Sequence, residues 1–559
     1  MKKRIVALIL VLCLIPGVFA LASCGPKKPA ATEKPADTAT EGTTDRWEVY
    51  GPEIAAALDA GAKSFKIELA EFNQTEKASR NQKYLAGPDK REGADSIGQK
   101  IYDRNAKAKE LLGVTIEYEY WDYDQAAWKK SSGEINRIVA ARDPDAPDMF
   151  VNQIYDLNRA LLSDGVFKDI WSLPGAYFDF EAPGWLDGWM RDMSFTGDRA
   201  YVLAGDYFLD ILRSMAIMPF NADLMDESGS KLAPALFGGE GLATGETMSQ
   251  RFFDFVEEGN WTWDALGKLC EAVHVDGGTV GQDDMNDVLG VIADCYGGVC
   301  TASFIYSAGE TLVERRENEA GKMWVYYPTD ATEIGKIFDA VAGVFNGNGS
   351  LATYAKVDDA TEGIAAHRVK FADNELLFMG YALLGDLEDD VYQQMTSLYS
   401  VVPLPKVNAS KSYNTFVADT ADAGAINVNT SIGKARAISA YLQYCTEHSA
   451  AIRDEFLEIV TKYKTTRYNQ GTDRMLDLIY ESVQYGGAKV IDGAVKDEGG
   501  HMRWYDIMKD TPDKRCTVTS AEFKTKFDSL VTSKQLTLNT IIDKWYNLPI
   551  AGAEETPAP

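Results

Sequence analysis

Leu21-Ala22-Ser23-Cys24-Gly25 is the string in this chain best suited to covalent chemistry. Small Ala22 and Ser23 leave the backbone before Cys24 accessible, and the Cys24 thiol is a soft nucleophile. The other reactive groups are sparse. With Cys13 and Cys24 set aside, Cys270, Cys295, Cys300, Cys445 and Cys516 remain, an odd number, so at least one is free or pairs between molecules. Cys295 and Cys300 bracket Tyr-Gly-Gly-Val, a spacing that can close a small loop, but buried free thiols are the expectation for most. His274, His367, His448 and His501 are scattered and there is no second close Cys pair, so no zinc site and no cofactor is assigned. No G-x-S-x-G elbow, H-E-x-x-H pair, P-loop or Rossmann glycine fingerprint occurs.

Around Cys24 the chain has the layout of an export signal. Lys2, Lys3 and Arg4 form a basic head, and Ile5–Ala20 an apolar run shorter than the roughly 20 residues that span a bilayer. The cut site resembles the bacterial lipobox, whose Cys becomes the first mature residue and is diacylated on sulfur. The alternative is an ordinary signal peptide with an incidental Cys. Residues 1–23 are therefore expected to be a signal peptide, and 24–59 a lipidated Cys and flexible tether. Gly25–Asp45 is made of Pro, Ala, Thr, Lys and Glu, which cannot bury enough apolar surface to offset the entropy of ordering. The tail, 546–559, is expected to be disordered for the same reason.

About 500 residues are left for a folded body, enough for two or more domains. The net charge of −28 argues against nucleic acid and against an electrostatic grip on anionic lipid, so solubility is its plain reading.

The elements that must position any site start near residue 63. Phe65–Phe72 alternates apolar and polar residues and predicts a strand. Ile101, Ala108, Leu111 and Leu112 lie at helical spacing, stopped by Gly113. Val114–Trp121 alternates again, a helix around Ser132–Ala141 follows, and Pro147–Val151 is a short buried strand. Strand and helix alternating at this spacing predict a parallel α/β layer. Ligands of such sheets sit beyond the carboxyl ends of the strands, here near Phe72–Gln74, Trp121–Tyr123 and Asn152–Tyr155.

Asp164–Ile170, Gly197–Leu203 and Pro219–Leu224 resemble the extracellular solute-binding proteins of bacterial ABC importers, in the carbohydrate-binding branch that includes maltodextrin binders. Gly259–Leu266, Val402–Lys406 and Ala423–Val428 continue the likeness in order, and Arg474–Tyr480 is similar to a C-terminal signature of clostridial-type members. The likeness covers most of residues 63–545. It implies a two-lobed, periplasmic-binding-protein-like α/β fold (type II) with a ligand cleft between the lobes. Lobe one would take 60–210 plus 402–460, and lobe two 216–398 plus 465–545, with Asp210–Phe220 and Tyr399–Pro405 as the crossovers. It also implies a monomeric, non-enzymatic protein on the outer face of the cell membrane that hands a sugar or oligosaccharide to an ABC permease.

A sugar ring has an apolar C–H face and a rim of hydroxyls, so its site needs flat aromatics beside planar donors and acceptors. Trp185 and Trp189, in the Gly/Pro-rich run Pro183–Trp189, are the aromatic candidates. Trp261 and Trp263 sit at a helix start capped by Thr262 or Asp264 and are expected to pack. Asn152, Gln153 and Tyr155 prolong the third strand, and Asp206 with Tyr207 follows Tyr201–Gly205, where similar sugar binders place an acceptor. Tyr306, Tyr381 and Asp419 are further candidates from loops in the second lobe and after the return crossover. Some relatives carry a calcium-like acidic loop near Asp276–Asp287; here Gly277, Gly278 and Thr279 replace most of its alternating carboxylates, and no metal is assigned. The rival readings are a secreted carbohydrate hydrolase working with two carboxylates and a peptide-binding lipoprotein. With 84 Asp and Glu, acidic pairs meet by chance and do not favour the hydrolase.

Overall fold

The alternating run before residue 72 forms β1, Ser64–Phe72, in a computed structural model that describes residues 45–72, 82–123, 130–278, 283–295, 298–353, 364–461, 469–509 and 516–548. The Cys24 string, most of the tether and the expected cleft positions Asn73 and Gln74 lie outside the described residues. β1 pairs in parallel with β2, Thr115–Tyr123, and with β3, Met149–Gln153; β12, Asp422–Ile426, returns antiparallel to β3. The order is β12-β3-β1-β2. The parallel α/β expectation therefore holds, with one antiparallel edge strand supplied from far along the chain. The helix Ser96–Leu112 opens where the Asp95 carboxylate accepts from the Gly98 N–H at 2.8 Å, and it closes at Gly113, whose φ of 63° suits a residue without a β-carbon.

A sheet covered on both faces by helices buries both sets of strand side chains. Ile67, Leu69, Phe150 and Val151 are fully buried, and Phe150→Ala would cost about 3–5 kcal/mol. The polar face read from alternation is not solvated here: Glu68 is 0% exposed and neither carboxylate oxygen has a hydrogen-bond partner. Burial, with Asp422 and Glu119 nearby, pushes its carboxyl well above the usual range.

The second sheet is built from β4, Ala216–Asn221; β5, Leu289–Asp294; β8, Ser350–Thr353; β9, Leu376–Met379; and β10, Ala382–Leu383. They run in the order β10-β4-β9-β5-β8, and β11, Tyr399–Val402, adds to β4. A separate hairpin joins β6, Glu314–Glu317, to β7, Met323–Tyr326. Of the two segments read as crossovers, Asp210–Phe220 is helical as far as Arg213 and enters β4 at Ala216, while Tyr399–Pro405 begins as β11; the two strands pair antiparallel from Tyr399↔Asn221 to Val402↔Met218. A separate antiparallel bridge joins Met215 to Val417, further along the returning chain. Both sheets belong to the second of two compact units, Met1–Glu48 and Val49–Pro559.

Thr262 caps the helix Trp263–Val273 as expected, accepting from the Ala265 N–H at 3.3 Å, while Trp261 donates to the Pro403 carbonyl at 2.9 Å and stacks on Phe378. In the acidic loop, Asp287 accepts from the Gly277, Gly278 and Asp284 amides, and Asp283 from Gly349 and Ser350. These carboxylates staple backbone. His274 Nε2 lies 3.2 Å from Asp283. Among the described residues no helix is long and apolar enough to cross a membrane.

Candidate functional site

Helix Ile154–Asp164 begins directly after β3, so the pairing of β3 with β12 determines where its first residues point. The Ile154 N–H donates to the Ala421 carbonyl at 2.9 Å and the Tyr155 N–H to the Asp419 carbonyl at 3.0 Å. Tyr155 and Asp419, distant in sequence, thereby become neighbours. With helix Gly487–Gly499 and helix Ser520–Tyr546 they line a cavity of about 260 Å³, along with Asn158, Arg159, Asp497 and Lys544. A larger hollow of about 540 Å³ lies beside helices Trp263–Val273 and Thr332–Phe345. It is bounded by the second half and its flanking loops, whereas the smaller cavity collects groups from the first sheet's helix, the segment just before β12 and the C-terminal helices. The smaller one is the better candidate for a ligand that must feel both halves.

Its polar groups are paired with one another. Arg159 sits one helical turn after Tyr155; its Nη2 donates to the Tyr155 hydroxyl and, at 2.7 Å, to Asp497. The Tyr155 hydroxyl in turn donates to Asp497 at 3.4 Å. Asp419, on the cavity wall, accepts from Lys489. Burial lowers the Lys489 pKa, opposed by Asp419, and raises that of the Tyr155 hydroxyl, reinforced by Asp497. Lys489 also lies over the Phe416 ring at 5.3 Å, and Phe416 stacks on Tyr306 at 5.8 Å between centroids. At the start of helix Gly487–Gly499, Asp192 accepts from the Gly486 and Gly487 amides at 2.9 and 2.7 Å and pairs with Arg315 at 2.8 Å. The approach is close enough that a β-carbon on Gly487 would fall 1.7 Å from the Asp192 carbonyl oxygen.

The remaining expected residues gather elsewhere. Asn152 is buried in β3, its Oδ1 accepting from the Gln153 N–H, and Gln153 is half-buried at the strand's end. Trp185 is buried, donates to Gln443 at 2.9 Å and meets Phe178 and Phe180 edge-on. Trp189 is buried against Gly486. Asp206 is buried next to the Trp185 loop, with Tyr480 donating at 2.6 Å and Arg453 at 2.9 Å. Burial raises its carboxyl, with Arg453 opposing. Tyr207 is fully buried beneath Arg104, 4.9 Å from the ring centroid. Tyr381 is half-buried at the entry to β10, after Gly380 packs on Ala293 of β5. Tyr155 and Asp419 thus come together, with Tyr306 linked through Phe416 and Lys489; Trp185 and Asp206 form a second group in the first half. Arg159, Lys489 and Asp497 were not anticipated. Arg159 was findable as the residue four after Tyr155, but nothing local marks the others.

No protein-family model matches the sequence, and no curated relative matches it. Among solved structures, the chain overlays the cyclic alpha-maltosyl-1,6-maltose binding protein from Arthrobacter globiformis with a TM-score of 0.48 and 8% identity, over 85% of this chain and 99% of that one. The sugar-binding protein MalE from Xanthomonas citri overlays with a TM-score of 0.47 and 10% identity, over 87% and 98%. An ABC transporter solute binding protein from Thermotoga lettingae, bound with alpha-D-tagatose, gives 0.45 and 11%, over 85% and 100%. Overlap at this level assigns neither ligand nor partner to this chain.

Proposed function

We propose that the protein captures an extracellular sugar or oligosaccharide between its two α/β halves and delivers it to an ABC importer, held at the membrane by lipid on Cys24. The observation that carries this reading is the cavity lined by Tyr155, Arg159, Asp419 and Asp497, whose donors and acceptors come from separate parts of the fold. They are paired with one another or, for Asp419, with Lys489. A polyhydroxylated solute offers both donors and acceptors and can replace those partners one for one, at little cost in unpaired groups. The antiparallel strands β4 and β11 lie side by side where the chain enters and leaves the second half, and a ligand touching both sides would favour the closed state.

The direct test is a thermal-shift screen against a glycan panel, followed by calorimetry on the best ligand. A hit that binds wild type and is weakened by Asp497→Asn supports the assignment; tight binding unaffected by changes at Arg159, Asp419 and Asp497 places the site elsewhere. Release of new reducing ends during the incubation would replace capture with hydrolysis. For the anchor, Cys24→Ser should free the protein from membranes or block its processing, and a normally processed, membrane-bound variant would remove the lipid from the proposal.

A further inference from the structure

Two neighbouring cysteines and a third from far along the chain converge at one edge of the second sheet. Cys295 follows β5, Cys300 lies in the first turn of helix Val299–Tyr306, and Cys516 stands just before Thr519, the cap of helix Ser520–Tyr546. Cys295 Sγ is 2.9 Å from Cys516 Sγ and 3.8 Å from Cys300 Sγ. All three are buried. The first distance is shorter than two unbonded sulfurs adopt in ordinary packing, and it is within a small side-chain rotation of the about 2.05 Å of a disulfide. The backbone agrees with the sulfur geometry. Cys516 has a φ of 56°, a left-handed conformation that a residue with a β-carbon rarely takes, so a local constraint is acting there.

We propose that Cys295 and Cys516 are joined by a disulfide that ties the start of the C-terminal helix to the end of β5. The spacing of Cys295 and Cys300 in sequence suggested a different, five-residue loop; the tertiary approach favours Cys516. The oxidant is a small-molecule disulfide, glutathione disulfide in the test below. The Cys295 thiolate attacks it, giving a mixed disulfide and releasing one glutathione thiolate. The Cys516 thiolate then attacks the Cys295 sulfur and expels the second. Two protein thiols lose two protons and two electrons, and one glutathione disulfide becomes two glutathiones. Because both sulfurs are buried in the folded protein, the exchange belongs to folding, before the helix packs, and the finished bond is shielded from reductant.

The bond would matter for the cavity as well as for stability. Helix Ser520–Tyr546 stacks Phe523 on Phe338 near its start and presents Ile541 and Lys544 to the cavity at its end. Anchoring its first turn limits how far that wall can move.

The test is non-reducing peptide mass spectrometry on the full chain refolded in a glutathione/glutathione-disulfide buffer, quenched in acid and alkylated. The expected product is a Cys295–Cys516 cross-linked peptide, with Cys270, Cys300 and Cys445 recovered as alkylated thiols. Cys300→Ser should keep that cross-link. Reduction under denaturing conditions followed by refolding without oxidant should lower Tm by a few degrees in wild type and leave Cys516→Ser unchanged. Recovery of Cys295 and Cys516 as thiols from folded wild-type protein, or a Cys295–Cys300 link in its place, overturns the proposal without needing any variant to fold.

Discussion

Helix Gly487–Gly499 carries two carboxylates that meet opposite fates five residues apart. Asp492 points inward and pairs with Lys534, and both side chains are 0% exposed. Its other oxygen accepts from the Trp504 N–H at 2.7 Å, while Lys534 also donates to the Met502 carbonyl at 2.8 Å and sits 4.3 Å from the Trp504 ring centroid. Asp497 points into the cavity, where its side chain is 29% exposed and Arg159 is 16% exposed. Both are ion pairs on one helix, yet only the second can be exchanged for something else. A sealed pair has no access to competing partners, and removing one member strands a charge in a low dielectric. An open pair is in contact with water and gives way to a ligand at modest cost. Solvent access, more than residue type, separates a structural network from a replaceable one.

Breaking the sealed pair should have the largest effect. Lys534→Met leaves Asp492 buried without its cation and should cost about 3–5 kcal/mol in urea unfolding. The double variant Lys534→Met/Asp492→Leu should recover most of that loss, because no charge is left stranded. A single variant as stable as wild type would mean the pair is not sealed in solution.

The open pair should show the reverse pattern. Arg159→Ala or Asp497→Asn is expected to weaken binding of the screened sugar about tenfold or more, or about 1.4 kcal/mol. Unfolding free energy should change by no more than about 1 kcal/mol. A large stability loss with unchanged affinity would reverse the roles of the two carboxylates.

Glu68 sharpens the comparison from a third side, since it is buried with no hydrogen-bond partner among the described residues. Its folded pKa is raised by burial, so folding takes up a proton once pH exceeds the unfolded value near 4.5. Its contribution is fully present below that pH and is lost as pH climbs through the higher folded pKa. Glu68→Gln, which cannot ionise, should flatten this fall, visible as a smaller decline in Tm with rising pH than wild type shows. Parallel pH profiles would mean Glu68 is charged or solvated in the folded protein.

The smallest effect belongs to the cavity rim. Lys544 pairs with Glu498 at 2.8 Å with both side chains over 40% exposed, and Lys544→Ala should change stability by less than about 0.5 kcal/mol by thermal unfolding. A larger loss would show that the cavity wall is more rigid than its exposure implies.

Much of the architecture was legible because it is local. Phe65–Phe72 and Val114–Trp121 alternate, Ile101–Leu112 has helical spacing with Gly113 as its stop, and Thr262 caps the next helix, each through forces acting within a few residues. The solvent exposure of those elements was less legible. Alternation marks Glu68 as outward-facing, but a helix on each face of the sheet buries it, and no short window of sequence contains that helix.

The candidate site divides along the same line. Tyr155 could be placed from sequence alone because it continues β3 past the sheet, where ligands of parallel sheets gather. Its meeting with Asp419 needed β12 to return beside β3, and Asp497 and Lys489 entered only when the C-terminal helices folded back over the first half. Periodicity and caps, set by backbone hydrogen bonds and steric preferences, belong to the sequence read locally. Which charges are sealed and which stay open, and which of five thiols meet, depends on packing between segments hundreds of residues apart. Burial is a property of the assembled chain, and only the tertiary structure decides it.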